Sequence, residues 1–286
     1  MSLKGKTIII TGSTRGIGRE IALRCARDGA NLVIAGKSAE DGGKLPGTIF
    51  SVAKEVEAAG GKALPYKVDV RNPEEIEGMV TKAVGAFGRI DVLINNAGAI
   101  QLTSLAETSP KRMDLMLDIN ARAVLLCSHY CIPYLRQAGG GHIINLSPPL
   151  SLDPKWLGHF VTYTISKYGM SLATLGLAEE LKPYNISVNS LWPRTAIETA
   201  AVSMLMGGQG MEHSRTPAIM ADAAHEILSS EPKKLTGKLL IDETFLRERG
   251  VKDFSKYSTV SDAELYLDLF VDEPSHPGSW KVGMSL

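Results

Sequence analysis

An α/β fold, a doubly wound parallel sheet of about seven strands in a single domain, is predicted by three observations. Apolar runs alternate with stretches of helical spacing along most of the 286 residues, which places helices on both faces of a parallel sheet. Several runs, such as Val92-Leu93-Ile94 and Ile143-Ile144, are apolar at successive positions, as strands covered on both faces require. A glycine-rich turn joins the first run to the first helical stretch, giving strand, turn and helix within thirty residues.

The elements follow in order. A strand at 6–11 leads into Thr11-Gly12-Ser13-Thr14-Arg15-Gly16-Ile17-Gly18, then into a helix at 16–28 spaced by Ile17, Ile21, Ala22 and Cys25. Gly12 can take backbone angles closed to other residues, Gly16 lets backbone approach a ligand, and Gly18 lets the helix pack closely on the strand. The N–H groups at the helix start, with the helix dipole, form a pyrophosphate site. Its spacing, Gly-x-x-x-Gly-x-Gly, differs from the common dinucleotide fingerprint, but the strand before it and the helix after it give the context that motif needs. The second strand, 31–36, ends without the acid that binds a ribose hydroxyl; Lys37 stands there instead, with Arg15 as a second cation nearby. Two cations and no carboxylate suit a 2′-phosphate, hence NADP(H) over NAD(H). A turn-rich loop, Gly42-Gly43-Lys44-Leu45-Pro46-Gly47, precedes a helix at 48–59. The third strand, 63–68, ends in Lys67-Val68-Asp69-Val70, where Asp69 can accept from an adenine amino group or cap the local loop. A helix at 73–87, a strand at 90–95, a helix at 110–136 and a strand at 141–147 come next, then a helix at 162–183 and a strand at 185–191. Gly207-Gly208-Gln209-Gly210 separates two short helical patterns, and a helix at 217–229 and a strand at 238–242 complete the alternation. Beyond residue 250 the text changes; Ser261-Asp262-Ala263-Glu264 and Asp272-Glu273-Pro274 read as an acidic tail on the surface. The division is therefore one domain over 1–249 and an extension over 250–286.

Tyr163 and Lys167 open the helix after the fifth strand, four residues apart and so on one face. A phenol titrates near 10, too high for proton transfer at neutrality, and a cation one turn away favours phenolate, which a general acid and base requires. Cys127 and Cys131 are also a turn apart; without partner ligands nearby they read as core thiols rather than a metal or redox pair. His159 and His213 read as loop histidines, and no metal is expected.

Bulk properties bound the function. Lys plus Arg and Asp plus Glu both number 31, a formal net charge of zero, which offers nothing to nucleic acid or an anionic membrane. No run of about 18 apolar residues is evident and the first residues, Met1-Ser2-Leu3-Lys4-Gly5-Lys6, lack a leader's apolar region. Three cysteines make no disulfide framework, pointing to a reducing, cytoplasmic setting, with peroxisome and mitochondrion left open. The terminal Met284-Ser285-Leu286 departs from the peroxisomal pattern.

Six motifs stand in a familiar order over about residues 5–245: Thr11-Gly12-x-x-x-Gly16-Ile17-Gly18, Asp69-Val70, Asn95-Asn96-Ala97-Gly98, Asn120, Tyr163-x-x-x-Lys167 and Asn189-x-x-x-Pro193. On these the chain resembles the short-chain dehydrogenase/reductase family. More narrowly, Gly47-Thr48-Ile49, Ser147-Pro148-Pro149-Leu150 and Trp192-Pro193-x-Thr195-Ala196-Ile197 resemble a branch in which a sterol-carrier-like domain follows the dehydrogenase domain; these 286 residues end too early for one. The resemblance implies that Tyr163 exchanges a proton with a carbonyl or alcohol oxygen, that Lys167 lowers its pKa and binds the nicotinamide ribose, and that Asn120 holds a water. It places Asn96 and Ala97 along the adenosine-ribose side, Val70 and Gly98 also at the cofactor, Ile197 and Thr199 at the carboxamide and phosphate, and a substrate lid at about 195–220. Met204, Met206, Met211 and Met220 there suit an apolar small-molecule substrate. Related enzymes are mostly dimers or tetramers, and Gly169, Ser171, Ala173 and Gly176 would let the helix from Thr162 to Leu181 pack against another subunit. Two departures stand out. The substrate-orienting serine position, thirteen before Tyr163, is Leu150, with Ser147 and Ser151 flanking it; and Arg194 follows Pro193. Ser147 could orient the substrate or satisfy its own backbone. The expected activity is NADP(H)-dependent interconversion of an alcohol and a carbonyl on an apolar compound. The alternatives are an NADP(H)-binding sensor or scaffold without turnover, and an enoyl-thioester reductase.

Overall fold

The computed structural model describes residues 2–40, 45–258 and 260–278; Gly42-Gly43-Lys44 and Met284-Ser285-Leu286 lie outside them. Seven strands, β1 (Thr7–Thr11), β2 (Asn31–Gly36), β3 (Lys62–Lys67), β4 (Val92–Asn95), β5 (Gly141–Asn145), β6 (Ile186–Trp192) and β7 (Leu239–Ile241), form one sheet in the order β3-β2-β1-β4-β5-β6-β7. Every neighbouring pair is parallel, with Ile9 of β1 facing Val33 of β2 on one side and Leu93 of β4 on the other. The order reverses between β1 and β4, which opens a crevice at the strand carboxyl ends where ligands of such sheets bind.

The intervening helices are α1 (Gly16–Ala26), α2 (Ile49–Ala58), α3 (Pro73–Phe87), α4 (Pro110–Met116), α5 (Ala123–Gln137), α6 (Pro154–Gly158), α7 (Val161–Leu181), α8 (Ala200–Glu212), α9 (Ala218–Leu228) and α10 (Asp242–Glu248). Their boundaries have local causes. Thr48 and Ser51 cap each other reciprocally at α2. Asn72 and Pro73 start α3, and Gly88 ends it at φ 79°. Successive residues of β1 point to opposite faces and both are covered: Ile8 and Ile10 pack with α1 and α9, Ile9 with α3 and α5.

The structure departs from the sequence expectations at four places. The helix read at 110–136 is α4 and α5 joined by a six-residue π turn, Leu117–Arg122. That joined helix, 110–137, is long and apolar enough to cross a membrane by length and composition, correcting the expectation that no stretch is; its inner side packs on α3 and α7. Helices α6 and α10 were not expected, and the glycine run 207–210, read as separating two helical patterns, lies inside α8. The segment beyond 250 is not a surface tail: Leu265, Leu267, Leu269, Phe270 and Val271 are buried, most of them in a third apolar cluster with Tyr163 and Trp192. Asp262, Glu264 and Asp272 are exposed, whereas Asp268 lines the cavity and alternate apolar residues turn in.

Candidate active site

One cavity of about 620 Å³ begins at the β1–α1 turn and ends at Tyr163 and Lys167. At its start Gly12 and Gly16 hold φ of 67° and 54°, angles costly for any residue with a Cβ. A Cβ on Gly12 would lie 2.8 Å from Ala97 Cα, and one on Gly18 2.5 Å from Asn96 Nδ2. Asn96 braces the turn, its Nδ2 donating to Thr11 O and Gly12 O at 2.9 and 3.0 Å. The N–H groups of Asn96 and Ala97 both donate to Thr11 Oγ1 at 3.1 Å. No side chain caps α1 and no acid stands in its first turn, so positive N–H groups are presented where Arg15, Gly16 and Ile17 line the cavity. A backbone cradle closed to Cβ atoms, facing an uncapped helix start, fits a dinucleotide pyrophosphate.

Gly12, Thr14, Arg15, Gly16, Ile17, Lys37, Asp69, Val70, Asn96, Ala97, Gly98, Ile197 and Thr199 all line this cavity with Tyr163 and Lys167. Ser13 and Gly18 sit behind the wall. The Ser13 hydroxyl donates to Ile10 O at 2.9 Å and accepts from Ala35 N at 3.0 Å, tying β1 to β2. Near β2, Arg15 donates to Pro46 O, Gly47 O and Ser38 Oγ at 3.0–3.1 Å. Asp69 does not stand free: Lys37 Nζ is 3.0 Å from its Oδ2 and Arg71 Nη2 is 2.6 Å away. The Arg71 guanidinium, helped by Lys37 and against partial burial, holds the Asp69 carboxyl well below its usual range. Lys37 keeps 63% of its side chain exposed at the rim.

At the far end, Lys167 Nζ donates to Leu146 O at 2.8 Å and lies 5.1 Å above the Trp192 ring. Burial lowers Lys167 to about 8. Burial, and after it the charge of Asp268, pushes the Tyr163 phenol above its ordinary value, opposite to the lowering expected from Lys167. Asn120 sits in the π turn, a common device at functional sites. It accepts from Ala99 N at 2.8 Å and donates to Ala99 O and Ser166 Oγ at 2.9 Å. A Cβ on Gly98 would lie 3.6 Å from Asn120 Oδ1 and 4.0 Å from Lys167 Nζ, so the two flank one backbone. Ser147 is fully buried, outside the cavity wall, and its hydroxyl has no partner among the described residues. Ser151 accepts from Asp153 N and is turned to the start of α6.

The segment 265–271 roofs this end. Trp192 Nε1 donates to Leu269 O at 2.8 Å and Asp268 N to Arg194 O at 3.0 Å. Phe270, at φ 67°, lies with its centroid 5.4–6.2 Å from Tyr168, Trp156, Trp192 and Tyr163. The Arg194 guanidinium is taken up by acids: it binds Glu273 through both oxygens at 2.8 and 2.7 Å, with Glu243 and Asp262 at 3.2 and 2.8 Å. Leu267, Asp268, Trp192 and Arg112 line the cavity and escaped the sequence reading; the alternation Leu265-x-Leu267-x-Leu269 was the available signal. Helix α8 supplies Met204, Leu205 and Met206 to the opposite wall.

A sequence model described as short chain dehydrogenase matches residues 6–206. Hydroxysteroid dehydrogenase-like protein 2 of Xenopus tropicalis is 55% identical over 272 residues, 95% of this chain and 64% of that protein. The Homo sapiens protein of the same name is 50% identical over 281 residues, 98% and 66% respectively. The chain thus spans about two thirds or less of these relatives. Among solved structures, a short chain dehydrogenase of Mycobacterium thermoresistibile superposes with a TM-score of 0.89 at 47% identity, covering 97% of this chain and all of that one.

Proposed function

The chain belongs to the short-chain dehydrogenase family, and from that premise we propose an NADP(H)-dependent oxidoreductase that interconverts an alcohol and a carbonyl on an apolar small molecule. The observation that carries this reading is a single cavity joining the glycine cradle to Tyr163 and Lys167. A bound nicotinamide cofactor supplies or accepts the hydride. The cradle, with Asn96 bracing it, holds the pyrophosphate; Ile197 and Thr199 bound the cofactor on the other side, and Lys167 holds its ribose. Tyr163 gives its phenol proton to a carbonyl oxygen in reduction and takes a proton from an alcohol in oxidation. Lys167, one turn away, balances the phenolate charge. Ser147 adds nothing to the wall; if it orients substrate, its hydroxyl must first turn outward.

Lys37 and Arg15 at the adenosine end support NADP(H) over NAD(H). Ile100, Leu102, Leu267, Met204 and Met206 support an apolar substrate. The exposed Ile165, Leu172 and Leu175 of α7, with Leu117 and Leu125 of the neighbouring helix, support a homodimer or homotetramer. Cys25, Cys127 and Cys131 are buried free thiols, and burial pushes Cys127 up to about 12; such thiols suit a reducing compartment such as the cytoplasm.

The test is NADPH oxidation with a panel of ketones, aldehydes and enoyl thioesters. Tyr163→Phe is expected to cut carbonyl turnover roughly 100-fold or more, and NADPH to bind more tightly than NADH. Turnover retained in the variant on enoyl thioesters would favour double-bond reduction. NADPH binding without turnover on any compound would favour a sensor or scaffold.

A further inference from the structure

We propose that Asp268, delivered by the C-terminal segment, is a charge-setting residue of the catalytic group, fixing the protonation of Tyr163 and Lys167 across the shared cavity. This deepens the oxidoreductase reading and rests on it for its catalytic consequence.

The placement is built. Asp268 N donates to Arg194 O and its Oδ1 accepts from Leu269 N at 2.7 Å, which fixes the residue in the roof. Leu267 bridges to Thr195 on one side, and on the other Leu269 O holds the Trp192 indole against which Lys167 lies. Arg194 ties the segment down through Asp262 and Glu273. Among the described residues lining the cavity, the carboxylates are Asp69 and Asp268; the first is spent on Lys37 and Arg71 at the adenosine end, so Asp268 alone carries acid to the chemistry.

The titratable groups that act on it come from two elements, Tyr163 and Lys167 from α7 and Asp242 from the start of α10, while Arg112 of α4 lines the same cavity. Arg194 contributes its carbonyl, its guanidinium being occupied elsewhere. Burial, with Asp242's charge adding and Lys167's opposing, holds the Asp268 carboxyl at about 7. Its charge acts on both neighbours in one direction, raising Tyr163 and raising Lys167 against its burial. An ionised Asp268 therefore keeps the tyrosine protonated and the lysine charged, the pair needed to protonate a carbonyl. Loss of that charge moves both titrations downward.

Two readouts test this, one independent of turnover. Trace acetylation of Lys167, followed by peptide mass spectrometry across pH, reports its titration in the protein as purified. With Asp268→Asn the labelling midpoint is expected to fall by roughly half a unit or more, and the pH profile of kcat/KM for alcohol oxidation to move the same way. Asp268→Glu is expected to hold both near the native positions, and thermal unfolding checks that each variant folds. A purely structural role would lower kcat/KM without moving either midpoint. Unmoved midpoints in a folded Asp268→Asn protein, or equal shifts in the Asn and Glu variants, would overturn the assignment. A shifted labelling midpoint in a protein that turns over no carbonyl or alcohol would sink the oxidoreductase reading and leave the charge coupling standing.

Discussion

Gly18 shows how one missing carbon decides the site. It lies in the first turn of α1 and not in the cavity, yet the atoms a Cβ would meet, Asn96 Nδ2 at 2.5 Å, Gly12 O at 2.8 Å and Ser13 Cα at 3.0 Å, are the brace and backbone of the cradle. None is the loose end of a flexible side chain. Gly18→Ala is therefore expected to cost about 1–3 kcal/mol and to weaken NADPH binding, measured by thermal unfolding and by fluorescence titration. An unchanged melting temperature would mean that the brace yields freely. Single residues differ in how far the sequence exposes them. Tyr163 and Lys167 are one turn apart, so a local rule joins them. Asp268 lines the same cavity as that pair from about a hundred residues further along the chain, and only the fold brings them together. Asp69 could be placed at a strand end but not given its partner, because Lys37 reaches it from a neighbouring strand.

Elements were legible in proportion to their burial on both faces. All seven strands were found within two residues or so: β1, β2, β4, β5 and β6, covered on both faces, leave continuous apolar text, and the half-buried β3 and β7 stand out by the alternation with helices. Helix α8 was legible only as short helical patterns about a glycine run: three glycines thin its pattern and Gly207 breaks it at φ 63°. The roof was misread because its acids are conspicuous and its apolar alternation runs for only three steps. Those acids hold it in place. Glu243, 3% exposed, accepts from Arg194, Arg215 and Arg247, and Asp262 from Arg194 and Arg215. Removing one partner strands buried charge. Arg194→Met is expected to cost about 2–3 kcal/mol, below the full value for a buried pair because Glu273 and Asp262 are partly wet. Turnover should fall with NADPH affinity largely kept, since the cradle lies at the other end of the cavity. Equal losses of affinity and turnover would show that the roof and cradle do not separate.

At the scale of the whole molecule the unresolved pattern is apolar and external. Ile165 and Leu172, 57% and 60% exposed, lie on α7, whose buried face carries Tyr163 and Lys167. A second copy covering that face would clamp the catalytic helix from behind. Leu172→Glu is expected to convert a homo-oligomer to a monomer by light scattering; a native protein already monomeric at micromolar concentration would refute the assembly. The roof has another consequence, for biosynthesis. The cradle is complete once the ribosome has passed β4, but the chamber waits for Phe270 and its neighbours, more than 170 residues later. A nascent or clipped chain would thus grip its coenzyme before, or without, the ability to use it. A segment translated after every strand of the sheet thus completes the catalytic chamber.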